Sequence, residues 1–186
     1  MNNSFSYKSE FLYKAIDDTT NTIRFLDTKA GAVFVGISIC LSIIQATANT
    51  LLSVFVSFRQ VFIIHTLMII LFICYIFCAI LSLFFGFKAL KPANKEIQTN
   101  NTTNFNYTKL WYIPDNKNIS LSEYYNRLKP MSRKDCLMTI SHELLKLSVI
   151  RNVKLKNSNL SISFFIWSLL PLGFIYLIMF VKIFIL

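Results

Sequence analysis

Apolar residues in this chain gather into three long runs, and outside those runs they fall to a three–four spacing. The runs cover residues 32–52, 61–87 and 162–186. Each reaches the length of about 20 residues that a helix needs to cross a hydrocarbon core about 30 Å thick. Lipid offers no hydrogen-bond partner to a bare backbone, so segments of this kind are expected to be helical. Ahead of the first run, Phe11, Leu12, Ala15, Ile16, Ile23 and Leu26 recur at helical spacing, with acids and lysines between them. No Gly or Pro falls between Tyr7 and Ala30, which predicts a helix running straight into the first span. Lys91-Pro92 stops the helix of the second run. The Asn/Thr-rich stretch that follows, from Asn94 to about Asn118, reads as a loop. Two Ser-x-x-acid capping boxes then restart the chain: Ser120 with Glu123, and Ser132 with Asp135. The first opens a short helix ending near Lys129-Pro130. The second opens a longer one on which Leu137, Ile140, Leu144 and Leu147 keep a three–four repeat. No strong breaker separates Ser132 from the third run, so a single helix of more than 50 residues is expected there.

The expected fold is an all-α integral membrane protein. Three transmembrane helices (residues 32–52, 61–87 and 162–186) are joined by an N-terminal helix (residues 1–30) and a basic helical region (residues 88–159). Those last two form a small cytoplasmic bundle in this reading. Orientation follows from charge. Of the 19 Lys and Arg residues, four precede the first span and 13 lie within residues 88–159, leaving Arg59 and Lys182. By the positive-inside rule the N-terminus and the long central region face the cytoplasm, and the C-terminus reaches the opposite side. An apolar content of 54% also exceeds the ~45–50% of ordinary soluble domains.

Several function classes lose ground at this point. The formal charge of +10 is what an inward-facing loop demands, and no basic run of the kind that contacts nucleic acid is present. Residues 1–30 carry Glu10, Asp17, Asp18 and Asp27 with no early apolar core, unlike a cleaved signal. Cys40, Cys74 and Cys78 lie within predicted spans and Cys136 on the cytoplasmic side, so no disulfide framework is expected. Cys74 and Cys78 are one turn apart but lack further ligands, and no metal site is expected. His65 and His142 are lone histidines. With four glycines, no phosphate-binding loop and no nucleophile–base pair, the chain is not expected to be an enzyme.

One stripe within the first span is polar. Ser38, Ser42, Gln45 and Asn49 fall on one helical face. Polar side chains at membrane depth face protein or water. Two readings stand: hydrogen bonding and small-residue packing between helices, or a hydrophilic pore lining assembled when several copies meet. The second makes the protein a homo-oligomer. The aromatics of the second span (Phe62, Phe72, Phe77, Phe84, Phe85, Phe87) are spread around the helix and suit lipid contact. Trp111 and Tyr112 suit the membrane interface.

The segment entering the first span reads Asn21-Thr-Ile-Arg-Phe-Leu-Asp-Thr-Lys-Ala-Gly31, and a second reads Ser141-His-Glu-Leu-Leu-Lys-Leu-Ser-Val-Ile150 with Lys154 trailing it. The first resembles the Asp-x-Lys-Ala signature, and the second the Glu-Leu-x-x-Leu-Ser-x-Ile signature, of the Pycsar effector family. These are small transmembrane proteins of bacterial antiphage systems. Residues 119–131, with Glu-Tyr-Tyr and Leu-Lys-Pro-Met, resemble the family's linker.

The resemblance implies an inner-membrane effector. It would be activated by cyclic CMP or cyclic UMP from a partner pyrimidine nucleotide cyclase, with no other cofactor. On infection it would damage the membrane and kill the cell before phage spread. A cyclic nucleotide is a monoanion with a flat base, so it needs a cation on its phosphate and a polar group on its base edge. Arg24 or Lys29 would hold the phosphate and Asp27 or Glu143 would read the base, with Lys154 nearby if the helices pack together. The competing reading pairs Asp27 with Lys29 or Lys154 simply to fix the helices where they enter the membrane. Two other functions remain open at this stage. One is a holin-like membrane toxin that needs no nucleotide; the other is a passive membrane anchor for a partner.

Overall fold

The computed structural model describes residues 2–91, 120–129 and 131–184, and no strand occurs among them. The elements are α1 (Asn2–Ala46), α2 (Ala48–Ser57), a 3-10 turn (Phe58–Gln60), α3 (Phe62–Leu90), α4 (Leu121–Leu128) and α5 (Arg133–Phe184). Three helices are long and apolar enough to cross a membrane: Ser6–Ala46, Phe62–Leu90 and Arg133–Phe184. The Asn/Thr-rich stretch, Trp111, Tyr112 and Pro130 lie outside the described residues. So does the side chain of Glu123, on which the first capping box depends.

Most helix boundaries fall where the sequence puts them. α1 runs without interruption from the N-terminal stripe into the first span. α3 ends at Leu90, and Lys91 is already extended (φ −59°, ψ 133°), as the residue before a proline prefers. The 52-residue α5 begins with a closed capping box. Asp135 N–H donates to Ser132 Oγ at 3.2 Å, and Ser132 N–H donates to Asp135 Oδ2 at 3.0 Å. The Ser132 hydroxyl also donates to Asp135 Oδ2 at 2.6 Å, and that bond, with the one from Ser132 N–H, holds the Asp135 carboxyl below its ordinary pKa. A depressed carboxylate favours the folded turn at neutral pH. That contribution is lost as the pH falls through the lowered pKa.

Two details depart from the expectations. The first span is not one unbroken helix over residues 32–52: it bends at Thr47 (φ −103°, ψ 9°), between α1 and α2. The Thr47 hydroxyl bonds back to the Ile43 carbonyl at 2.8 Å and pairs with the Tyr176 hydroxyl at 2.7 Å. A threonine bonding backward in this way bends helices. Backbone bonds from Thr47 N–H to Ile43 and from Leu51 N–H to Thr47 still carry the chain across the bend. The other departure is Phe11, which is 63% exposed instead of lying in the N-terminal stripe. The inward positions are Leu12, Ala15, Ile16, Thr19, Ile23 and Leu26, and Phe11 sits 100° off that line.

The chain divides into two compact units. One comprises Met1–Arg24 and Ala93–Asn152, where Ile140 is the largest fully buried side chain, with Thr19 and Thr139 also buried. The other comprises Phe25–Pro92 and Val153–Leu186. Its far end is an apolar cluster of Val54, Phe58, Met68 and Ile175, with Leu51, Ile64 and Leu71 against it. His65 packs its ring on Phe55, with centroids 4.4 Å apart. Nearer the middle, small residues let the helices touch. A Cβ on Gly36 would lie 2.6 Å from Phe165 Cζ, and one on Gly86 would lie 3.0 Å from Phe34 Cζ and 3.1 Å from Ser161 Oγ. Gly173 has nothing within 4 Å.

Two stability predictions follow from these contacts. Gly36→Val and Gly86→Val should each destabilise the chain by about 1–3 kcal/mol through overpacking, whereas Gly173→Val should lie within about 0.5 kcal/mol of wild type. Thermal unfolding in detergent, followed by circular dichroism, checks the contrast. Ser132→Ala should weaken the first turn of α5 by about 1 kcal/mol, seen as faster amide exchange at residues 133–136 and not at residues 160–170.

Candidate functional site

Three polar junctions tie the helices of the second unit together. The outermost is the Thr47–Tyr176 hydroxyl pair between the end of α1 and α5. At the middle, Ser82 of α3 and Ser161 of α5 exchange bonds: each hydroxyl donates to the other residue's carbonyl at 2.8 Å. Both serines are fully buried. The third junction joins α1 to α5, where the Lys154 ammonium donates to the Asp27 carboxylate as an ion pair. The Lys154 side chain is only 8% exposed, and that of Asp27 is 38% exposed. A buried ammonium with one carboxylate partner is held there by that partner alone, because an unpaired charge in such a place is strongly disfavoured.

The face of α5 that carries Lys154 is polar for several turns. Asn157, Ser158, Ser161 and Ser168 are all buried on it. They follow Lys154 at three, four, seven and fourteen residues, which is one face of a helix. Across from it, Leu26, Ala30, Val33 and Ile37 of α1 are buried, with Ala89 of α3. Ser158, one turn from Lys154, has a buried hydroxyl with no hydrogen-bond partner among the described residues, as does Tyr75. The site therefore holds one cation in use and one polar group in reserve.

Of the five proposed ligand-binding residues, Asp27 and Lys154 are brought together. Lys29 is not part of that pair: its ammonium lies 4.6 Å from the centroid of the Phe25 ring. Residues two apart on a helix do not share a face, so Asp27 and Lys29 point apart. Between the two pairings open for Asp27, the geometry selects Lys154. Arg24 and Glu143 belong to the first unit, Arg24 exposed and Glu143 half-buried, and each has an interaction of its own. The polar stripe of the first span points away from the junctions. Ser38, Ser42, Gln45 and Asn49 are all exposed. Ser38 and Ser42 donate back to the Phe34 and Ser38 carbonyls, each at 2.9 Å.

The Ser82–Ser161 crossing is not among the contacts the sequence predicts, where the aromatics of the second span suit lipid contact. Its signal was Ser82 and Gly86, two small residues one turn apart in an otherwise bulky helix. No group of three or more potential metal ligands occurs among the described residues.

The ion pair should be energetically lopsided. Asp27→Ala strands a buried ammonium and should cost about 3 kcal/mol, the low end of the range for breaking a buried pair, because water reaches the carboxylate. Lys154→Met leaves a carboxylate that can be hydrated and should cost less than half as much. Unfolding of the two variants in detergent measures the difference, and equal losses would contradict it.

No curated protein and no solved structure matches this chain. The family model for the Pycsar effector protein domain does, over residues 11–181. Both motif segments and all three junctions lie within that match, which also takes in Phe62–Leu90 whole and most of Ser6–Ala46 and Arg133–Phe184. This chain belongs to the Pycsar effector protein domain family and is an antiphage effector built as a helical membrane protein.

Proposed function

We propose that this effector sits silent in the bacterial inner membrane until a partner cyclase makes a cyclic pyrimidine nucleotide, cyclic CMP or cyclic UMP. Binding then converts it to a form that breaches the membrane, and the infected cell dies before phage spread. The chain performs no chemistry of its own and needs no metal. Its N-terminus and residues 88–159 face the cytoplasm, its C-terminus faces the periplasm, and several copies act together.

The observation that carries the reading is the Asp27–Lys154 pair. It joins the segment of one family motif to the segment of the other, on helices that continue into the membrane-compatible stretches. A nucleotide phosphate is a competing anion for Lys154, and the Ser158 hydroxyl one turn away is a ready donor to a phosphate oxygen. Asp27, once released, is free to accept from a base edge. Such a ligand shifts the protein only by binding one packing of α1 against α5 better than the other, and displacement of Asp27 from Lys154 supplies that difference.

The test is membrane potential in cells expressing the protein, with cyclic CMP and cyclic UMP supplied separately. Wild type should depolarise with one of the two and not without it. Lys154→Met, inserted at the same level, should lose the response. Depolarisation regardless of nucleotide would instead fit a constitutive holin-like toxin, and none under any condition a passive anchor. A fully responsive Lys154→Met variant would remove Lys154 from the site.

A further inference from the structure

We infer that the exposed face of the first span, through Ser38, Ser42, Gln45 and Asn49, is where a second copy of this chain docks, helix against parallel helix. The inference deepens the assembly step of the function proposed above.

The exposed surfaces of the three spans are not alike. On α3 the exposed side chains between Phe62 and Phe87 are Phe, Ile and Leu, together with Cys74. On α5 they include Ile166, Trp167, Leu170, Phe174 and Leu177, with Ser163 the one exposed hydroxyl of the third run. Apart from that single hydroxyl, those are surfaces that lipid tails cover without loss. On α1 and the start of α2 the exposed side chains include two carboxamides, Gln45 and Asn49, neither hydrogen-bonded to any described residue. Lipid cannot supply the missing partners, so a polar side chain at this depth calls for protein or water against it.

Nothing in the chain itself is suited to cover this face. The helices able to cross a membrane pack α1 through its opposite side, at Val33, Gly36 and Ile37. Residues 92–119 carry Lys95, Glu96, Lys109, Asp115 and Lys117 and contain no apolar run fit for lipid.

The spacing then points to the kind of partner. Ser38, Ser42, Gln45 and Asn49 follow at four, three and four residues, the repeat that keeps one face against a neighbouring helix in a left-handed crossing. Counted at 1.5 Å per residue the line is about 17 Å long, over half the hydrocarbon thickness. An open groove of about 520 Å³ runs beside it, lined by Phe34, Ser38, Ser42 and Ala46 among others. Ser38 and Ser42 form a small-xxx-small pair, which lets two helix backbones come close.

Symmetry decides between a second copy and a different protein. Two copies inserted with the same orientation and related by a twofold axis along the membrane normal meet with their first spans parallel and each residue facing its own counterpart. A charged residue on that axis would repel itself. A hydroxyl or a carboxamide carries both donor and acceptor and bonds to its own copy. All four residues of the line are of that self-complementary kind.

The experiment uses the full chain in phosphatidylcholine vesicles, with neither nucleotide nor cyclase, so its failure leaves nucleotide sensing untouched. Donor- and acceptor-labelled copies should show energy transfer that unlabelled chain competes away. The double variant Gln45→Leu/Asn49→Leu, which presents lipid-compatible side chains, should weaken association roughly tenfold or more, on the scale of interhelical carboxamide bonds. Ile73→Ala on the lipid face of α3 should not. In a background with the native cysteines replaced by alanine, Ser42→Cys should oxidise to a disulfide dimer in bacterial membranes, and Ile73→Cys should not. No transfer for wild type, transfer unchanged in the double variant, or a Ser42→Cys product containing a different protein would each overturn the inference.

Discussion

Hydrocarbon forms no hydrogen bonds, and from that constraint most of this structure follows. Between helices already in a bilayer, contact of apolar side chains with one another is little better than contact with lipid tails. Leu against Leu therefore cannot fix which face of a helix meets which. What can do so is a bond that lipid cannot offer, or an approach so close that only small residues permit it. The second unit uses both. The reciprocal Ser82–Ser161 bonds set α3 against α5 at one depth. Gly86, flanked by Phe34 and Ser161 Oγ, allows α1, α3 and α5 to converge at that same place. The Thr47–Tyr176 pair and the Asp27–Lys154 pair then tie α1 to α5 at two further points.

α5 carries one side of all three junctions. Its polar face from Lys154 to Ser168 would be a poor choice for lipid, and it is turned fully inward. Farther along, Pro171 removes a backbone donor from the ladder, which a membrane helix tolerates when neighbouring helices cover it; Pro171 is buried. The consequence is a helix whose rotation is specified by polar contacts at intervals along its length. Turning it would break hydrogen bonds at several depths together, so its packing resists gradual change and favours discrete alternatives. α1 is less constrained: one face is locked by Ala30, Val33, Gly36 and Ile37, while the other carries Gln45, whose carboxamide no described residue satisfies.

Much of this architecture was legible because membranes impose coarse rules. Span number and helix type follow from the length of apolar runs, and the 52-residue α5 from the absence of a breaker between Ser132 and the third run. The Ser132–Asp135 box was readable because its geometry is local. What stayed hidden depends on partners distant in sequence. Ser82 looks incidental until Ser161 is known to face it 79 residues away. Asp27 had two candidate cations, and only the tertiary arrangement selects Lys154 over Lys29. Thr47 could not be recognised as a bend, since its backward bond competes with an intact backbone ladder and the outcome depends on Tyr176. Phe11 was misplaced for a simpler reason: it lies beside the inward line of the N-terminal helix, and composition alone does not resolve a 100° step.

Satisfied and unsatisfied polar groups are unequally distributed in this effector. The firm bonds lie in the interior, where they define one packing of three helices. Besides the Tyr75 and Ser163 hydroxyls, the unmet ones lie at two places: the buried Ser158 hydroxyl beside the Lys154 junction, and the carboxamides along the open face of the first span. Each marks where a new partner gains most, because it meets a group that lipid and the chain have both left unsatisfied. A small anion is suited to the first place and another membrane helix to the second. Asp27 and Ser38 both lie on the uninterrupted α1, eleven residues apart, so in the function proposed above a ligand that displaces the Asp27 carboxylate acts on the same helix that presents the polar face.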